Sequence, residues 1–491
     1  MKKTIVIIGG GIAGTSCAEH ILQCQKYYDN NSSSVIIITP KDVIKTAITK
    51  KEISRTLTEI EVKEKKISKY DEEGTNLSVK VGTAVHINPE GKIITLKSGE
   101  KIGYDKICIC TGARPNVIAE NPYVIGLRDT DTANELRKRL SSAKKIIIAG
   151  NGGIALELVY EVTGCEIVWC IKDSTIGNTF FDEGAAQFLV SKLEKNLPES
   201  QKNLKSEQTI FKRKIYGAQK ESLQRAGDDF VDEHLHGSAL GPDWSSKQKL
   251  KGLLEETSDN HTKRRITIEH ECQITEVWCG SKDEKEPENV YARLSNRKVI
   301  GGDFIVSATG VQPYVPFEID SLRRSSDGGI LVDENMQTNL TDVYACGDCC
   351  TSNWQHSETW FPMKLWTQAW QMGSYTGKCI VNDIVGEESS LDMCFELFSH
   401  VTTFFGYKVC LLGCFNGQKM ANSEYEVLLR VTNDVEYVKV VLKNGRMKGC
   451  VLIGETDLEE TFENLILNEL DVGFLGESLL HPGVDIEDYF D

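Results

Sequence analysis

Two glycine-rich turns constrain this chain more than any other feature, because each stands between an apolar run and a helix-like segment. The turns comprise Gly9, Gly11, Ile12, Ala13 and Gly14 in the first case and Gly150, Gly152, Gly153 and Ile154 in the second. A buried strand that runs into a helix through such a turn brings the backbone close to a pyrophosphate, which the free N–H groups of the helix N-terminus bind. Two turns of this kind predict two bound dinucleotides and electron transfer between them.

A second repeated pattern marks where each dinucleotide-binding unit ends. An apolar strand at 104–110 leads into Thr111-Gly112, and a similar strand at 303–308 leads into Thr309-Gly310. The glycine-rich turn that begins each unit and the Thr-Gly turn that ends it both occur twice. The sequence therefore predicts an α/β chain with two Rossmann-like dinucleotide-binding domains. Strand-like runs after residue 391 and a closing helix near 458–467 predict a third, C-terminal α+β domain.

These repeats predict where the domains divide. The first dinucleotide domain takes residues 1–121 and 312–390, the second takes 122–311, and the C-terminal domain takes 391–491. Between 198 and 263, Lys, Glu, Gln, Ser and Asp dominate, which predicts a solvent-exposed insertion in the second domain, with partner docking as the alternative. An apolar island, Gly237 to Trp244, lies within this insertion.

Charge and composition narrow the class of partner. The net charge of −16 argues against nucleic acid as a direct ligand, which needs a basic surface. No run reaches the roughly 18 apolar residues of a membrane-spanning helix. The 16 cysteines, with no secretory signal, indicate a reducing compartment in which most thiols are buried and free. No histidine is spaced with cysteines as metal ligands are, so no metal site is predicted.

A third motif, Gly347-Asp348, follows the apolar run 343–346 and precedes a helix-like segment. A carboxylate placed there can accept hydrogen bonds from the hydroxyls of a flavin's ribityl chain. In this order, from residue 1 to about 385, the motifs resemble the pyridine nucleotide-disulphide oxidoreductase family. The resemblance implies that the first turn and Asp348 bind FAD and that the second turn binds NAD(P)H as the electron donor.

Both ribose positions depart from the family pattern. An acid usually ends the second strand and holds the FAD ribose, whereas here Thr39 follows the run 35–38 and can only form a weaker hydrogen bond. On the NAD(P)H side, Lys172 can tolerate a 2′-phosphate, while Asp173 beside it favours NADH. The choice between NADH and NADPH stays open.

The family's disulphide reductases carry a redox cysteine in the helix after the second strand, but residues 41–69 contain no cysteine. The resemblance instead implies that Lys51 lies in this helix near flavin N5 and pairs with Glu157, the alternative being that Lys51 belongs to a solvated face. We also expect Lys45 at the FAD site. Trp366, or alternatively Trp360, is a candidate to cover the isoalloxazine, with core packing as the default for both. Cys346, Cys349 and Cys350 are expected to be buried thiols, with a redox role as the alternative.

The resemblance therefore implies an FAD-dependent NAD(P)H oxidoreductase that transfers hydride to the flavin and electrons to an external acceptor. A redox-sensing flavoprotein with little turnover, which protects a protein partner, is the alternative. Similar proteins are associated with the oxidative-stress response and the tRNA ligase complex, in nucleus and cytoplasm. Because the C-terminal unit does not look like the dimerisation domain of disulphide reductases, we expect a monomer.

Overall fold

Three large sheets carry the fold, which we describe in the computed structural model over residues 3–27, 33–69, 76–194, 209–215, 266–281, 287–421, 424–484, 486 and 489. Two of these sheets are parallel and have five strands each, and the third is antiparallel with six. The expected class, two Rossmann-like domains with a C-terminal α+β domain, is confirmed. Within the described ranges, no helix is long and apolar enough to cross a bilayer.

The first dinucleotide domain begins with a strand of β-branched residues that is buried along almost its whole length. Its elements up to residue 115 are β1 (Thr4–Ile8), α1 (Ile12–Tyr27), β2 (Ser34–Thr39), β3 (Val43–Glu52), β4 (Thr58–Lys66), β5 (Leu77–Val81), β6 (Ala84–Asn88), β7 (Ile93–Leu96), β8 (Lys101–Gly103), β9 (Lys106–Ile109) and β10 (Ala113–Pro115). Strand β1 pairs in parallel with both β2 and β9, so the first glycine turn lies at the carboxyl edge of the sheet.

The second dinucleotide domain repeats this arrangement around another buried central strand. Its elements are β11 (Val124–Gly126), α2 (Thr130–Leu140), β12 (Lys145–Ala149), α3 (Gly153–Glu161), β13 (Glu166–Cys170), α4 (Glu183–Glu194), β14 (Thr209–Ile215), β15 (Ile266–Glu269), β16 (Ile274–Cys279), β17 (Val290–Leu294), β18 (Val299–Gly302) and β19 (Phe304–Ser307). The parallel sheet has the order β11-β19-β12-β13-β15, while β16, β17 and β18 form a separate antiparallel sheet. Strand β12 therefore places the second turn at the carboxyl edge of its sheet.

The chain then returns to the first domain. The elements are β20 (Val311–Pro313), β21 (Glu318–Ile319), β22 (Ile330–Val332), β23 (Val343–Ala345), β24 (Cys350–Ser352) and α5 (Trp366–Val385). Strand β23 completes the first parallel sheet, in the order β23-β9-β1-β2-β5, and β20 pairs with β10 where the chain passes between the domains. Helix α5 packs against α1 so closely that a Cβ atom at Gly373 would lie 2.3 Å from the Ala13 carbonyl oxygen.

The C-terminal domain is an antiparallel sheet with one helix. Its elements are β25 (Ser399–Phe404), β26 (Tyr407–Gly413), β27 (Glu426–Thr432), β28 (Glu436–Lys443), β29 (Arg446–Ile453) and α6 (Glu459–Leu467). Strand β14 joins this sheet by pairing with β27, although it lies within the insertion expected to be an exposed loop. The run around Ile210 and Phe211 is too short to be distinguished from its polar surroundings in the sequence. The apolar island at 237–244 lies outside the described residues.

The helix expected between residues 41 and 69 is wrong. Strands β3 and β4 form an antiparallel hairpin in this region, and the backbone N–H of Lys45 donates to the Gly10 carbonyl oxygen at 2.8 Å. In β3 the buried positions alternate, with Ile44 and Thr46 facing the interior. β-Branched residues at alternating positions favour a strand, and the frequent Lys and Glu residues masked this period in the sequence.

Buried polar contacts join the C-terminal domain to both dinucleotide domains. The Glu463 carboxylate on α6, 1% exposed, accepts hydrogen bonds from the backbone N–H groups of Arg55 and Thr56 at 3.1 and 2.7 Å, at the tip of the β3–β4 hairpin. Lys439 on β28 lies 2.8 Å from the Asp182 carboxylate, just before α4. Buried charges of this kind are stable only with their partners in place, so the three domains hold one another in position.

Candidate active site

The first glycine turn leaves a backbone cradle free of side chains. Gly9 has a φ of +125°, and a Cβ atom there would lie 2.1 Å from the Cys110 carbonyl oxygen. A Cβ atom at Gly14 would lie 2.0 Å from the Gly9 carbonyl oxygen, so neither position accepts another residue. At Gly11, by contrast, a Cβ atom would meet nothing within 4 Å. This open space in front of the α1 N-terminus fits a pyrophosphate.

The second turn has the same construction. Gly150 has a φ of +126°, and a Cβ atom there would lie 2.0 Å from the Ala308 carbonyl oxygen. A Cβ atom at Gly152 would again meet nothing within 4 Å. Between them, the buried Asn151 side chain donates to Asp173 Oδ2 at 2.7 Å and accepts from the backbone N–H of Gly177 at 2.6 Å. The second cradle is therefore equally open, and its side-chain amide fixes the loop that follows β13.

One cleft of about 810 Å³ brings the second turn together with the Asp348 motif. Of the predicted cofactor residues, those that line it are Gly150, Gly152, Gly153, Ile154, Lys172, Thr309, Gly310, Gly347 and Asp348. The first turn lies outside this lining but adjoins it, because a Cβ atom at Gly347 would lie 2.7 Å from that of Ala13. A dinucleotide on the first turn can thus extend past Gly347 into the cleft. Asp173 also lines the cleft beside Lys172.

Asp348 lies in a one-turn 3-10 helix directly after β23 and is half-buried against the cleft. Burial raises the pKa of its carboxyl to about 6, against the opposing positive charges of Lys364 and Arg128. Its carboxylate accepts no hydrogen bond from the described residues. A carboxylate in this state is suited to accept hydrogen bonds from the hydroxyls of a ligand.

Thr39 and Lys45 lie close to the first turn. Thr39 is buried, and its Oγ1 would be 3.0 Å from a Cβ atom at Gly10. The Lys45 ammonium lies 3.8 Å from the Glu64 carboxylate, and burial lowers the pKa of Lys45 although Glu64 opposes the shift. In the first Thr-Gly turn, the Thr111 hydroxyl donates to the Tyr314 carbonyl oxygen, and Gly112 has a φ of +68°.

Lys51, Glu157 and Trp366 are not among the residues that line the cleft. Lys51 is exposed near the end of β3, opposite Glu59 in the hairpin register. A hairpin replaces the helix that was expected to carry Lys51, and the Lys51–Glu157 pair stays a prediction. Glu157 is half-buried on α3, outside the cleft lining. Trp366 is half-buried at the start of α5, also outside the lining, while the alternative Trp360 is buried.

The cysteines after β23 do not form the pair that their spacing suggests. The thiols of Cys349 and Cys350 lie 3.2 Å from the carbonyl oxygens of Ile109 and Gly347, respectively. The Cys346 sulfur instead lies 3.4 Å from that of Cys110 and 3.8 Å from that of Cys108. Burial raises the pKa of Cys108 and of Cys110 well above the ordinary value, so both remain thiols. Strands far apart in sequence form this cluster, and the spacing of cysteines carries no signal of it.

The sequence reasoning also missed a polar group on the wall of the cleft that belongs to the first domain. Asp327, Thr351 and Lys364 come from three separate segments and all line the cleft. The Lys364 Nζ atom lies 3.5 Å from the Asp327 carboxylate. Each residue is an ordinary polar residue in the sequence, and only the fold brings the three together.

Comparison with known proteins agrees with this architecture. Residues 3–199 and 250–373 match the family model for pyridine nucleotide-disulphide oxidoreductase, and residues 399–470 match that for the rubredoxin NAD+ reductase C-terminal domain. The human pyridine nucleotide-disulfide oxidoreductase domain-containing protein 1 is 46% identical to this chain over 502 residues, which cover 99% of this chain and 97% of the human protein.

Solved structures share the fold at low sequence identity. The water-forming NADH oxidase from Lactobacillus brevis, bound to NADH, aligns with a TM-score of 0.63 and 14% identity over 96% of this chain and 92% of the oxidase. The NADH:rubredoxin oxidoreductase from Clostridium acetobutylicum aligns with a TM-score of 0.56 and 18% identity over 96% of each chain. The chain therefore belongs to the pyridine nucleotide-disulphide oxidoreductase family, a family of NAD(P)H-dependent flavoprotein oxidoreductases.

Proposed function

We propose that this chain takes a hydride from NAD(P)H onto FAD and passes the electrons to an external acceptor, without an intramolecular redox disulphide. The observation that carries the proposal is the shared cleft, because the second glycine cradle and Asp348 of the first domain both line it. Two dinucleotides held in this way meet with their reactive rings between the two domains.

The roles of the protein groups follow from their positions. The backbone N–H groups of the first turn hold the FAD pyrophosphate, and Asp348 accepts hydrogen bonds from the ribityl hydroxyls. The second turn holds the NAD(P)H pyrophosphate, and Pro362 and Met363 provide apolar surface that excludes water from the cleft. Bound FAD would supply the two-electron chemistry.

The positions of the thiols support an external acceptor. The hairpin that follows the second strand has no cysteine. The thiol–thiol contacts among the described residues involve Cys17, Cys108, Cys110 and Cys346, and none of these lines the cleft. Cys170, Cys272 and Cys350 do line it, and all three are free thiols. Electrons on the flavin therefore have no neighbouring disulphide to reduce.

We expect the purified protein to be yellow, with tightly but non-covalently bound FAD. The physical reason is that the first glycine turn leaves open space for the pyrophosphate and that Asp348 lines the adjoining cleft. Absorption spectra before and after denaturation show whether the flavin is bound and whether denaturation releases it. In a separate native sample, anaerobic addition of NADH or NADPH should bleach the flavin band. A colourless protein that takes up no added FAD would refute the proposed function.

We also expect anaerobic titration to consume one equivalent of NAD(P)H per FAD, because no redox disulphide takes up a second pair of electrons. Reduction of glutathione disulphide or of oxidised thioredoxin should be negligible for the same reason. The control replaces two thiols of the buried cluster that lie 3.4 Å apart, as Cys110→Ala with Cys346→Ala. Two equivalents in the parent and one in this variant would identify the buried cluster as a redox centre and contradict the proposal.

Our second candidate is a redox-sensing flavoprotein in which reduced FAD and NAD(P)+ remain bound, with little turnover. The cysteines that line the cleft are free thiols, which favours this candidate, because no disulphide there takes up electrons and the flavin stays reduced. In this reading the chain acts in the oxidative-stress response, in nucleus and cytoplasm, and protects a partner such as the tRNA ligase complex. Multiple-turnover kinetics with oxygen and with artificial acceptors separates the two: steady turnover supports the oxidoreductase, and a single burst supports the sensor.

A further inference from the structure

The wall of the cleft formed by the first domain carries one carboxylate that is fully engaged. Asp327 accepts hydrogen bonds from the backbone N–H of Gly329 and from the Thr351 hydroxyl, both at 2.9 Å. Burial alone would raise its pKa, but these hydrogen bonds and the charge of Lys364 hold the pKa of Asp327 below its ordinary value. Asp327 is therefore ionised and fixed in place.

The cation beside it is not satisfied in the same way. The Lys364 side chain is only 12% exposed and lines the cleft. Its one ion pair within the described part of the chain is with Asp327, at 3.5 Å. An ammonium group has three N–H donors, and Lys364 donates none of them in a hydrogen bond to any described residue. A nearly buried cation with free donors is costly unless an acceptor comes from elsewhere, and here the open side is the cleft.

The position of Lys364 indicates which ligand supplies that acceptor. Lys364 belongs to the wall of the first domain, two residues before α5, and its charge acts on Asp348. It therefore lies on the FAD side of the cleft rather than the NAD(P)H side. Hydride transfer adds two electrons and one proton to oxidised FAD, so the reduced ring gains one negative charge, while NAD(P)H becomes NAD(P)+.

We propose that Lys364 stabilises this negative charge, so that the protein binds reduced FAD more tightly than oxidised FAD. Asp327 positions the ammonium and offsets part of its charge. The inference rests on the proposed function, because it requires FAD in the cleft. It assigns to Lys364 control of the reduction potential of the flavin, a role separate from holding the cofactor.

The test measures the reduction potential of bound FAD by equilibration with a reference dye. Lys364→Met removes the charge at similar volume, and we expect reduced FAD to lose about tenfold in affinity relative to oxidised FAD, which lowers the potential by about 30 mV. Lys364→Arg keeps the positive charge and should have nearly the reduction potential of the parent. Asp327→Asn should raise the potential. Lys172→Met is the matched control, because Lys172 lines the same cleft on the NAD(P)H side and should leave the potential unchanged.

The outcomes separate this inference from the proposed function. If the parent protein binds FAD and NAD(P)H reduces it, but Lys364→Met keeps the parent potential, the role of Lys364 is overturned and the proposed function stands. If Lys172→Met lowers the potential as much as Lys364→Met does, the effect is general charge and the inference also fails. Should Lys364→Met not fold, an unchanged potential in Asp327→Asn overturns it. A parent that binds no FAD refutes both.

Discussion

A Gly152→Asp variant should keep its FAD and lose roughly 10²–10³-fold in the rate at which NAD(P)H reduces it. The backbone at Gly152 has a φ of −89°, and a Cβ atom there meets nothing within 4 Å, so the new side chain fits without disturbing the fold. Its carboxylate would occupy the space in front of the α3 N-terminus, where it repels the pyrophosphate. Anaerobic stopped-flow absorbance at several NAD(P)H concentrations measures the loss.

Two matched variants make this result specific. Gly152→Asn adds the same volume without the charge and should cost much less. Gly11→Asp places the same charge in the equivalent space of the first turn and should remove FAD instead of impairing its reduction. Undiminished reduction in Gly152→Asp would mean that the second turn does not hold NAD(P)H.

The second large effect is expected for Asp348→Ala, which should weaken FAD binding by one to two orders of magnitude. The substitution removes a charge-assisted hydrogen bond to a ribityl hydroxyl, which contributes about 1.5–3 kcal/mol. Titration of the FAD-free protein with FAD, followed by flavin fluorescence, gives the dissociation constant. An unchanged constant would show that Asp348 does not contact the cofactor.

The same residue predicts a pH dependence of FAD binding. In the ligand-free protein burial raises the pKa of Asp348 to about 6, so the carboxyl becomes protonated below that pH. Hydroxyl donors on FAD favour the ionised form, so FAD affinity should rise as pH increases through 6 and fall up to about tenfold per pH unit below it. Asp348→Asn should remove this dependence, and an identical slope in that variant would assign it to another group.

The parallel sheets and their turns could be predicted from the sequence because both signals are local. Strands β1 and β12 are short runs rich in β-branched residues. The turns that follow them require glycine, because a Cβ atom at Gly9 or Gly150 would clash with a backbone carbonyl oxygen. Asp348 was recognised for a different reason, namely its order relative to the other motifs. The resemblance therefore supplied what local pattern alone did not.

The features that escaped prediction depend on contacts between distant segments. The hairpin of β3 and β4 is stabilised by pairing and by its contact with Gly10, which outweighs the helical preference of its Lys and Glu residues. The contact between Cys110 and Cys346 joins residues 236 positions apart. Lys364 and Asp327 are brought together only by the fold, and their spacing along the chain does not predict the ion pair.

The buried Glu463 contact means that the hairpin tip and α6 must be exchanged together when domains of related proteins are recombined. Exchange of the C-terminal domain for one without a carboxylate at this position would leave the N–H groups of Arg55 and Thr56 without acceptors inside the protein. Such a graft would cost about 1–3 kcal/mol for the buried Thr56 N–H left unpaired. Chimeras with a C-terminal domain that has no such carboxylate should therefore be more stable when residues 53–57 come from the same parent as that domain than when the crossover separates them.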